Sequence, residues 1–480
     1  MSAARSRERL GAQPGAALLA EPRRLHLMGI GGAGMSGLAE WLIDRGHEVG
    51  GCDSRASEVT RRLDRLGASV FEGHNPAHVE GADALIVSSA IPADHPERRA
   101  AVERGIPVIR RAELLGAIMQ GSRGVAVAGT HGKSTTTTMT GSVLESAGLD
   151  PTVIVGGRIR GRDGNVRIGA GSWVVAEADE FDRSFLALDP EIAVITNVEA
   201  DHLDIYGTLE AVHQAFSDFA KRVGEGGTLV VGVDDGGARD VRAPAGVGVL
   251  GFGLSAQADV RAEGIAPSPT GIAFDLFLGG AGAGRVRLAM PGVHNVRNAL
   301  AAAAVGWKLE LTADAIRAGL EAVRGVERRF EIVYRTDDLM IVDDYAHHPS
   351  EIAATLSGAR EAWPERRIVA VFQPHLYTRT RDFAGEFGSA LAGADLVFVT
   401  DVYAAREKPI AGVSGRLISE AAREVRAAVR YLPEETAAGR DVADVIEEAL
   451  EPGDMVVTMG AGDIDELARR LAARRNPERP

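Results

Sequence analysis

A glycine-rich segment followed by lysine and serine is the first candidate for chemistry in this chain. It reads V-A-V-A-G-T-H-G-K-S-T from Val125 and joins a β-branched run to a helix-compatible segment. The backbone N–H groups of such a loop, together with the start of the following helix, suit a nucleotide phosphate. Lys133 would reach the β- and γ-phosphates, and the Ser134 hydroxyl would hold Mg²⁺. The complete P-loop pattern has glycine where Val127 stands, so an ordinary strand–helix turn is the alternative interpretation.

Acidic residues follow the next two predicted strands. Glu177 comes directly after the predicted strand Trp173–Ala176 and is the expected second Mg²⁺ ligand. The other acids of that cluster are expected to be solvated or to position substrate: Asp179, Glu180 and Asp182. His202 follows the predicted strand Ile192–Thr196, and a metal role and a structural role are equally open for it, because Mg²⁺ prefers oxygen ligands.

A second glycine-rich motif opens a predicted strand–helix–strand unit near the N-terminus. Residues 29–34 fit G-x-G-x-x-G after the predicted strand Arg24–Ile30, and Asp53 ends the second strand where it could meet a ribose hydroxyl. The motif provides a diphosphate cradle, so a UDP-sugar fits it as well as a dinucleotide. Ser88 and Ser89 end a further strand, where α/β sheets bind ligands, although turn or capping serines explain them equally well.

Polar clusters also follow the four strands predicted beyond Gly325. The most unusual are the pair His347 and His348 and the pair Arg379 and Arg381. Loop residues paired with local carboxylates are the alternative interpretation. Because binding residues gather at the carboxyl ends of parallel strands, the repetition over four strand ends predicts a third site.

Two asparagines stand at the start of the predicted Ala-rich helix Ala299–Leu309. Asn295 is expected to be its N-cap. Asn298 lies inside the helix, where asparagine is unfavourable, so a ligand contact is plausible for it.

Length and pattern together predict three α/β domains in the 480 residues. We expect a Rossmann-like UDP-binding domain over 1–120, a central P-loop ATPase domain over 121–324 and a C-terminal doubly wound α/β domain over 325–480. Two nucleotide-type loops about a hundred residues apart require separate sheets.

Composition narrows the class of protein and its compartment. The net charge of −14 argues against a nucleic-acid partner. The one cysteine, Cys52, excludes an internal disulfide and suits a reducing compartment. No apolar run is long enough for a signal peptide or a membrane span. We expect a cytoplasmic protein without membrane contact, with a disordered tail over Met1–Pro22.

Three sites on three domains fit an ATP-dependent ligase. ATP would convert a carboxylate to an acyl phosphate, an amine would attack to give a tetrahedral species, and phosphate would leave. Such a site needs positive charge and must exclude water from the acyl phosphate.

The motifs and their order resemble those of the Mur ligases, which build the peptide stem of peptidoglycan. The matching motifs run from Gly29 to Gly462 and are G-I-G-G-A-G-M-S-G, S-S-A-I, G-T-H-G-K-S-T-T-T, E-A-D-E, T-N-V-E-A-D-H-L-D-I-Y, H-N-V-R-N-A-L-A-A, E-R-R-F, D-D-Y-A-H-H-P-S-E and F-Q-P-H-L-Y-T-R-T. The last two resemble the first ligase of the series. This implies UDP-N-acetylmuramate and L-alanine as substrates, ATP and Mg²⁺ as cofactors, and a monomer or homodimer.

The resemblance implies a role for each matched residue. The UDP-sugar would contact Gly31, Gly32, Ala33, Gly34, Met35, Asp53, Ser88 and Ser89. ATP would contact Gly129, Thr130, His131, Gly132, Lys133, Ser134, Thr135, Asn298, Arg329 and Asp344. Metal would be held by Ser134, Glu177 and His202. Catalysis would involve Lys133, His202, Arg329, His348 and Arg381. The family loop usually ends G-K-T, and Ser134 preserves that hydroxyl.

Three alternatives remain at this stage. A recycling ligase that attaches a whole peptide to UDP-N-acetylmuramate would need a similar first domain and differ in its amine pocket. A nicotinamide oxidoreductase would explain the first glycine loop but not Val125–Ser134. A P-loop regulatory NTPase would leave the His and Arg clusters of the third domain without a purpose.

Overall fold

The computed structural model describes residues 18–425, 428–433 and 441–475. Most of the predicted tail Met1–Pro22 therefore lies outside the described residues. By internal contacts the chain forms two compact units. The first unit comprises the described residues up to 262 with 276–284 and 297–323, and the second comprises 263–275, 285–296 and the described residues from 324 onward. Within these described ranges, no helix combines the length and the apolar character that crossing a membrane requires.

The first sheet is parallel and has the strand order β3-β2-β1-β4-β5. Its strands are β1 (Arg24–Met28), β2 (Glu48–Asp53), β3 (Ser69–Glu72), β4 (Ala84–Val87) and β5 (Val108–Arg110). Its helices are α1 (Ala33–Asp44), α2 (Glu58–Arg65), α3 (Pro96–Glu103) and α4 (Arg111–Gln120). The chain order reverses between β1 and β4, which opens a crevice at the carboxyl ends of these strands. The glycine loop follows β1 and Ser88 follows β4, so both predicted UDP-binding segments border that crevice.

The helix after the glycine loop begins earlier than its sequence suggests. Glycines at positions 31, 32, 34 and 37 disfavour a helix there, but α1 begins at Ala33. The N–H groups of Met35 and Ser36 already donate to the Gly32 carbonyl, so the loop turns directly into the helix despite its glycines.

The second sheet surrounds the strand that leads into the P-loop. Its part within the first unit runs β12-β11-β10-β6-β9-β7-β8, and all neighbours are parallel except β7 and β8. The strands are β6 (Arg123–Ala128), β7 (Thr152–Ile154), β8 (Val166–Arg167), β9 (Trp173–Glu177), β10 (Ile192–Ile195), β11 (Thr228–Gly232) and β12 (Gly248–Gly253). The accompanying helices are α5 (Lys133–Ser146), α6 (Leu203–Tyr206), α7 (Leu209–Ala220) and α8 (Gly236–Asp240). Because β6 lies between β9 and β10, the acidic clusters after those two strands flank the loop.

Three strands and two helices follow in sequence: β13 (Val260–Ser268), β14 (Gly271–Leu278), β15 (Ala281–Leu288), α9 (Val293–Lys308) and α10 (Ala313–Ala322). The expected N-cap role of Asn295 is wrong. Helix α9 starts two residues earlier because the Gly292 carbonyl already accepts the Asn295 N–H, and the Asn295 side-chain amide donates to the Pro291 carbonyl (2.7 Å).

The third sheet, in the second unit, has the described strand order β16-β17-β21-β18-β19-β20. The strands are β16 (Glu331–Arg335), β17 (Leu339–Asp344), β18 (Ile368–Phe372), β19 (Leu396–Thr400), β20 (Val429–Leu432) and β21 (Asp454–Met459). The helices are α11 (Pro349–Ala362), α12 (Tyr377–Asp382), α13 (Ala384–Leu391), α14 (Gly415–Val425), α15 (Val442–Glu447) and α16 (Ile464–Arg475). Separate apolar clusters cover the two faces, which confirms the predicted doubly wound layers. The four predicted strands form the interior, and the two unpredicted strands, antiparallel β16 and short β20, are its edges.

Candidate active site

The P-loop backbone is packed so closely that two of its glycines have no room for a side chain. At Gly129, where φ is +137°, a Cβ would lie 1.8 Å from the Thr196 hydroxyl. At Gly132, where φ is +81°, a Cβ would lie 2.3 Å from the amide oxygen of Asn298. Both positions combine a backbone region that favours glycine with a polar neighbour at contact. The structure thus brings predicted ATP-binding Asn298 directly against the loop, where it also accepts a hydrogen bond from Thr136 (3.3 Å).

The end of strand β10 holds the loop in place. The Asn197 side chain accepts the His131 N–H (2.8 Å) and donates to the His131 carbonyl (3.2 Å), to which the Thr196 hydroxyl also donates (2.6 Å). The Glu199 N–H donates to the Thr130 hydroxyl (2.9 Å). Neither Thr196 nor Asn197 was among the predicted site residues, although their position as polar residues at the end of a central strand was the available signal.

Lys133 begins helix α5, and its ammonium group turns back into the loop. Its Nζ donates to the carbonyls of Gly129 (2.7 Å) and Thr130 (3.1 Å) and to Oε1 of Glu180 (2.8 Å). Burial favours the neutral amine, but the nearby carboxylates, with Glu180 the strongest, raise the pKa of Lys133. The cation is therefore desolvated, charged and held at the centre of the loop.

Glu180 is the buried partner of that cation. Its side chain is 3% exposed, and within the described part of the chain Oε2 has no hydrogen-bond partner. Burial outweighs the attraction of Lys133 and raises the pKa of the Glu180 carboxyl to about 7. The expectation that Glu180 is solvated is therefore wrong, whereas Asp182 is exposed. Glu180 is the residue directly before the 3₁₀ segment Phe181–Ala187, in the connection that follows β9.

Two of the three predicted metal ligands are in contact. The Ser134 hydroxyl donates to Oε2 of Glu177 (2.9 Å), and the same oxygen accepts the Gly156 N–H (2.7 Å). A hydroxyl and a carboxylate at the start of a P-loop helix form a hard-oxygen pair of the kind that Mg²⁺ uses.

His202 lies beside Glu180. Its backbone has a φ of +52°, and its Nε2 lies 3.8 Å from Oε1 of Glu180 and 3.8 Å from Oδ2 of Asp201. Its ring also meets the Phe181 ring edge-on, with centroids 5.4 Å apart. The strained backbone directs the imidazole toward the buried carboxylate that pairs with Lys133.

The glycine loop of the first sheet is tied to the end of β2. Oδ2 of Asp53 accepts the Gly31 N–H (2.9 Å), and the Cys52 carbonyl accepts the N–H groups of Gly29 and Ile30 (2.8 and 3.1 Å). Asp53 thus lies against the cradle in which the sequence placed it.

Of the other predicted UDP contacts, Met35 is buried, while Ser88 is half-buried and Ser89 exposed. The Ser88 carbonyl accepts the Ile91 N–H (3.2 Å), so this segment forms a turn at the carboxyl end of β4.

A cavity of about 140 Å³ lies beside the glycine loop. Gly31 and Ala33 line it from the loop, and Arg62, Arg158 and Asn165 line it from other segments of the first unit. Arg62 pairs with buried Glu40, whose pKa burial raises to about 7. Asn165 donates to the Ala33 carbonyl. These three residues were not predicted, because each lies far along the chain from the loop and belongs to no recognisable motif.

In the second unit, Arg329 and Asp344 lie at the carboxyl end of β17. The Arg329 guanidinium pairs with Glu351 (3.2 Å) and lies over the Tyr345 ring (5.3 Å). Both oxygens of Asp344 accept backbone N–H groups, from Phe330 and from Ala346 (2.8 Å each). Burial raises the pKa of Asp344 to about 6. This carboxyl therefore anchors the E-R-R-F segment to the strand end.

His348 and Arg381 have contrasting surroundings in the same unit. His348 is buried at the start of α11, with Nδ1 2.8 Å from the Ser350 hydroxyl. Arg381 is exposed and pairs with its neighbour Asp382 (2.7 Å). Arg379, which the resemblance did not assign, is the buried arginine of the pair.

Three family models match successive parts of the chain. "Mur ligase family, catalytic domain" matches residues 24–123, "Mur ligase middle domain" matches 127–306 and "Mur ligase, glutamate ligase domain" matches 328–462.

Individual relatives extend over nearly the whole chain. A protein of Salinibacter ruber named UDP-N-acetylmuramate--L-alanine ligase is 45% identical over 92% of this chain and 93% of its own length. The crystal structure of UDP-N-acetylmuramate-alanine ligase MurC from Thermotoga maritima covers 95% of this chain and 100% of its own, with a TM-score of 0.80 and 29% identity. A murein peptide ligase from Psychrobacter arcticus, at 24% identity and a TM-score of 0.68 over 94% of this chain and 98% of its own, shares the fold.

The raised pKa of Glu180 predicts a specific pH dependence of stability. In the unfolded chain this carboxyl ionises near its ordinary pKa of 4.5, and in the folded chain near 7. Because the folded state binds the proton more tightly, the stabilising contribution is fully present below pH 4.5 and is lost as the pH rises to about 7. As the pH rises between these limits, the free energy of unfolding of the wild type should fall by up to about 3 kcal/mol relative to that of Glu180→Gln.

Urea unfolding at stepped pH would measure this difference in the free energy of unfolding. Glu103→Gln, which removes an exposed carboxyl, serves as the matched control and should keep the wild-type profile. Parallel profiles for wild type and Glu180→Gln would contradict the interpretation.

Proposed function

The chain belongs to the Mur ligase family, and we propose that it joins L-alanine to the carboxylate of UDP-N-acetylmuramate in a reaction driven by ATP. The observation that carries this proposal is the 45% identity to a protein of that name over 92% of the chain. The desolvated cation inside a P-loop supplies the chemical reason, because transferring a phosphoryl group to a carboxylate requires concentrated positive charge.

The P-loop is the proposed site for the phosphates of ATP. Gly129 and Gly132 keep side chains away from the backbone that would face the phosphates. Lys133 presents a charged ammonium that burial has already stripped of water. Asn298, held against Gly132, is the proposed contact on the adenine side of the nucleotide.

The residues beside the loop fit Mg²⁺. Ser134 and Glu177 supply a contacting pair of oxygens, and the buried Oε2 of Glu180, which has no hydrogen-bond partner in the described residues, is a third candidate ligand. We include His202 as a metal-site residue from the family resemblance. Bound Mg²⁺ would neutralise the phosphate charge that develops during transfer.

The proposed reaction has two chemical steps. A carboxylate oxygen of the sugar attacks the γ-phosphorus, ADP leaves, and an acyl phosphate forms. The amine of L-alanine then attacks the acyl carbon, and the tetrahedral species collapses with loss of phosphate and a proton. Arg329, His348 and Arg381 are proposed to face the acyl phosphate and the amino acid, where cationic groups would stabilise the developing oxyanion.

The remaining assignments follow from the same family membership. The first domain would hold the UDP part of the sugar nucleotide between the glycine loop and Ser88–Ser89. We propose domain bounds of 1–120, 121–324 and 325–480, a cytoplasmic location, and a monomer or homodimer. The product would enter peptidoglycan precursor synthesis, on which bacterial cell shape and division depend.

A phosphate-release assay tests the proposed substrates. Purified protein with ATP, Mg²⁺ and UDP-N-acetylmuramate should release phosphate when L-alanine is added. Release only with a tripeptide would replace the proposal with the recycling ligase. Release without the sugar nucleotide would favour a regulatory NTPase. No release under any of these conditions would contradict ligation.

A matched pair of variants tests the metal role of Ser134. Ser134→Thr keeps the hydroxyl that contacts Glu177, so it should retain the Mg²⁺ dependence of the wild type. Ser134→Ala removes that hydroxyl, and the Mg²⁺ concentration for half-maximal phosphate release should rise by about 10–100-fold. Titrating Mg²⁺ at saturating substrates measures the difference. Equal requirements in the two variants would remove Ser134 from the proposed metal site.

A further inference from the structure

A second group of candidate ligands lies on the opposite side of the first sheet from the cavity of the glycine loop. His26 is on β1, Cys52 on β2, His78 in the 3₁₀ turn Pro76–Val79 and Glu97 in the first turn of α3. Each contributes one nitrogen, sulfur or oxygen, and these atoms all lie within 4.8 Å of one another. In the strand register His26 pairs with Gly50 and Met28 with Cys52, so His26 and Cys52 point to the same face of the sheet.

Glu97 organises three sides of this cluster. Its carboxylate is fully buried; Oε1 accepts the Asn75 N–H (2.7 Å) and lies 2.9 Å from Nδ1 of His78, and Oε2 accepts the Cys52 thiol (3.1 Å). Burial works against its ionisation, but these hydrogen bonds outweigh it and hold the pKa of Glu97 below its ordinary value. Within the described residues, the groups that could carry positive charge beside this buried carboxylate are the imidazoles of His78 (2.9 Å) and His74 (3.4 Å).

The remaining member, His26, leaves a polar atom unsatisfied. It is 3% exposed, and its Nε2 has no hydrogen-bond partner in the described residues. Burial lowers the pKa of His26 to about 4, so the ring is a neutral imidazole, the form that binds metal ions. A buried ring nitrogen without a partner is costly, and a ligand at the cluster would remove that cost.

We propose that His26, Cys52, His78 and Glu97 form a binding site for one divalent transition-metal cation of the Zn²⁺ class. Two imidazoles, one thiolate and one carboxylate are the ligand types and the number that tetrahedral Zn²⁺ takes. Mg²⁺ is disfavoured by nitrogen and sulfur ligands, which distinguishes this site from the one at the P-loop.

Charge and geometry both suit this cation. Binding displaces the thiol proton to solvent and forms a metal–thiolate bond, so that the cation, the thiolate and the carboxylate sum to zero charge in a buried place. Tetrahedral Zn²⁺ holds its ligand atoms roughly 3.5 Å apart, so the cluster must contract by about 1 Å. His74 adjoins the site, with Nδ1 3.3 Å from the Cys52 sulfur.

The site would stabilise the end of β2. The backbone carbonyl of Cys52 accepts two N–H groups of the glycine loop, and the next residue, Asp53, holds a third. A cation bound to the Cys52 side chain would therefore fix the strand end to which the glycine loop is hydrogen-bonded.

Cobalt binding to the full chain tests the proposal, because Cys52 is the one cysteine in the sequence. Any thiolate-to-cobalt charge-transfer absorption must arise from it. We expect one Co²⁺ per chain to produce this absorption and Zn²⁺ to abolish it by displacement. Saturating Co²⁺ without the absorption would show that metal binds elsewhere and would overturn the proposal.

Two variants test individual ligands, and a third serves as the control. Cys52→Ser should lose the absorption, and His26→Gln should weaken Co²⁺ binding by about 10-fold or more. His213→Gln, on α7 and outside the cluster, should bind as the wild type does. Unchanged affinity in His26→Gln would show that the cluster is only a hydrogen-bond network.

If Cys52→Ser does not fold, the wild type still provides a test. Zn²⁺ should slow the reaction of Cys52 with a thiol reagent in moderate urea at least several-fold. Equal labelling rates with and without Zn²⁺ would overturn the proposal.

Discussion

The buried ion pair between Lys133 and Glu180 is the interaction on which the candidate active site depends. A loop that is shaped for phosphate concentrates N–H groups and positive charge, and its buried lysine needs a partner for that charge. Glu180 and the carbonyls of Gly129 and Thr130 provide one. Removing one member of such a buried pair leaves the other group buried without its partner. The pair therefore couples stability to the group proposed to bind ATP.

This pair exists because of the strand order of the central sheet. Strand β6 lies between β9 and β10, so the loop after β6 is flanked by the polar residues that follow its two neighbours. Asn197 after β10 holds the loop backbone, while Glu177 and Glu180 after β9 reach its serine and lysine. Parallel strands bring these segments together although the contacting residues lie 43 to 66 positions apart in the sequence. This is the general reason that such sheets bind ligands at their carboxyl ends.

The sequence predicted well what depends on local pattern and poorly what depends on packing. Buried parallel strands appear as short apolar runs, so β6, β10 and β18 were found, whereas the half-exposed edge strand β16 lacks that signal. The ligand-type residues at strand ends were also visible. The burial of Glu180 was not, because it depends on packing against Lys133, which lies 47 residues earlier in the chain. Asn295 was misassigned as the N-cap because α9 begins at Val293, directly after Gly292, and no polar side chain marks that start.

The end of β2 shows how one strand can serve two faces of a sheet. Successive side chains of a strand point to opposite faces, so Asp53 is directed to the glycine loop while Cys52 is directed into the apolar layer with Met28, Val87 and Ala101. The backbone between them also carries the carbonyl that accepts the loop N–H groups. A displacement of this strand end from either face must therefore move the loop. The buried cluster around Cys52 and the proposed UDP cradle are for this reason connected through the backbone of β2, although their side chains lie on opposite faces of the sheet.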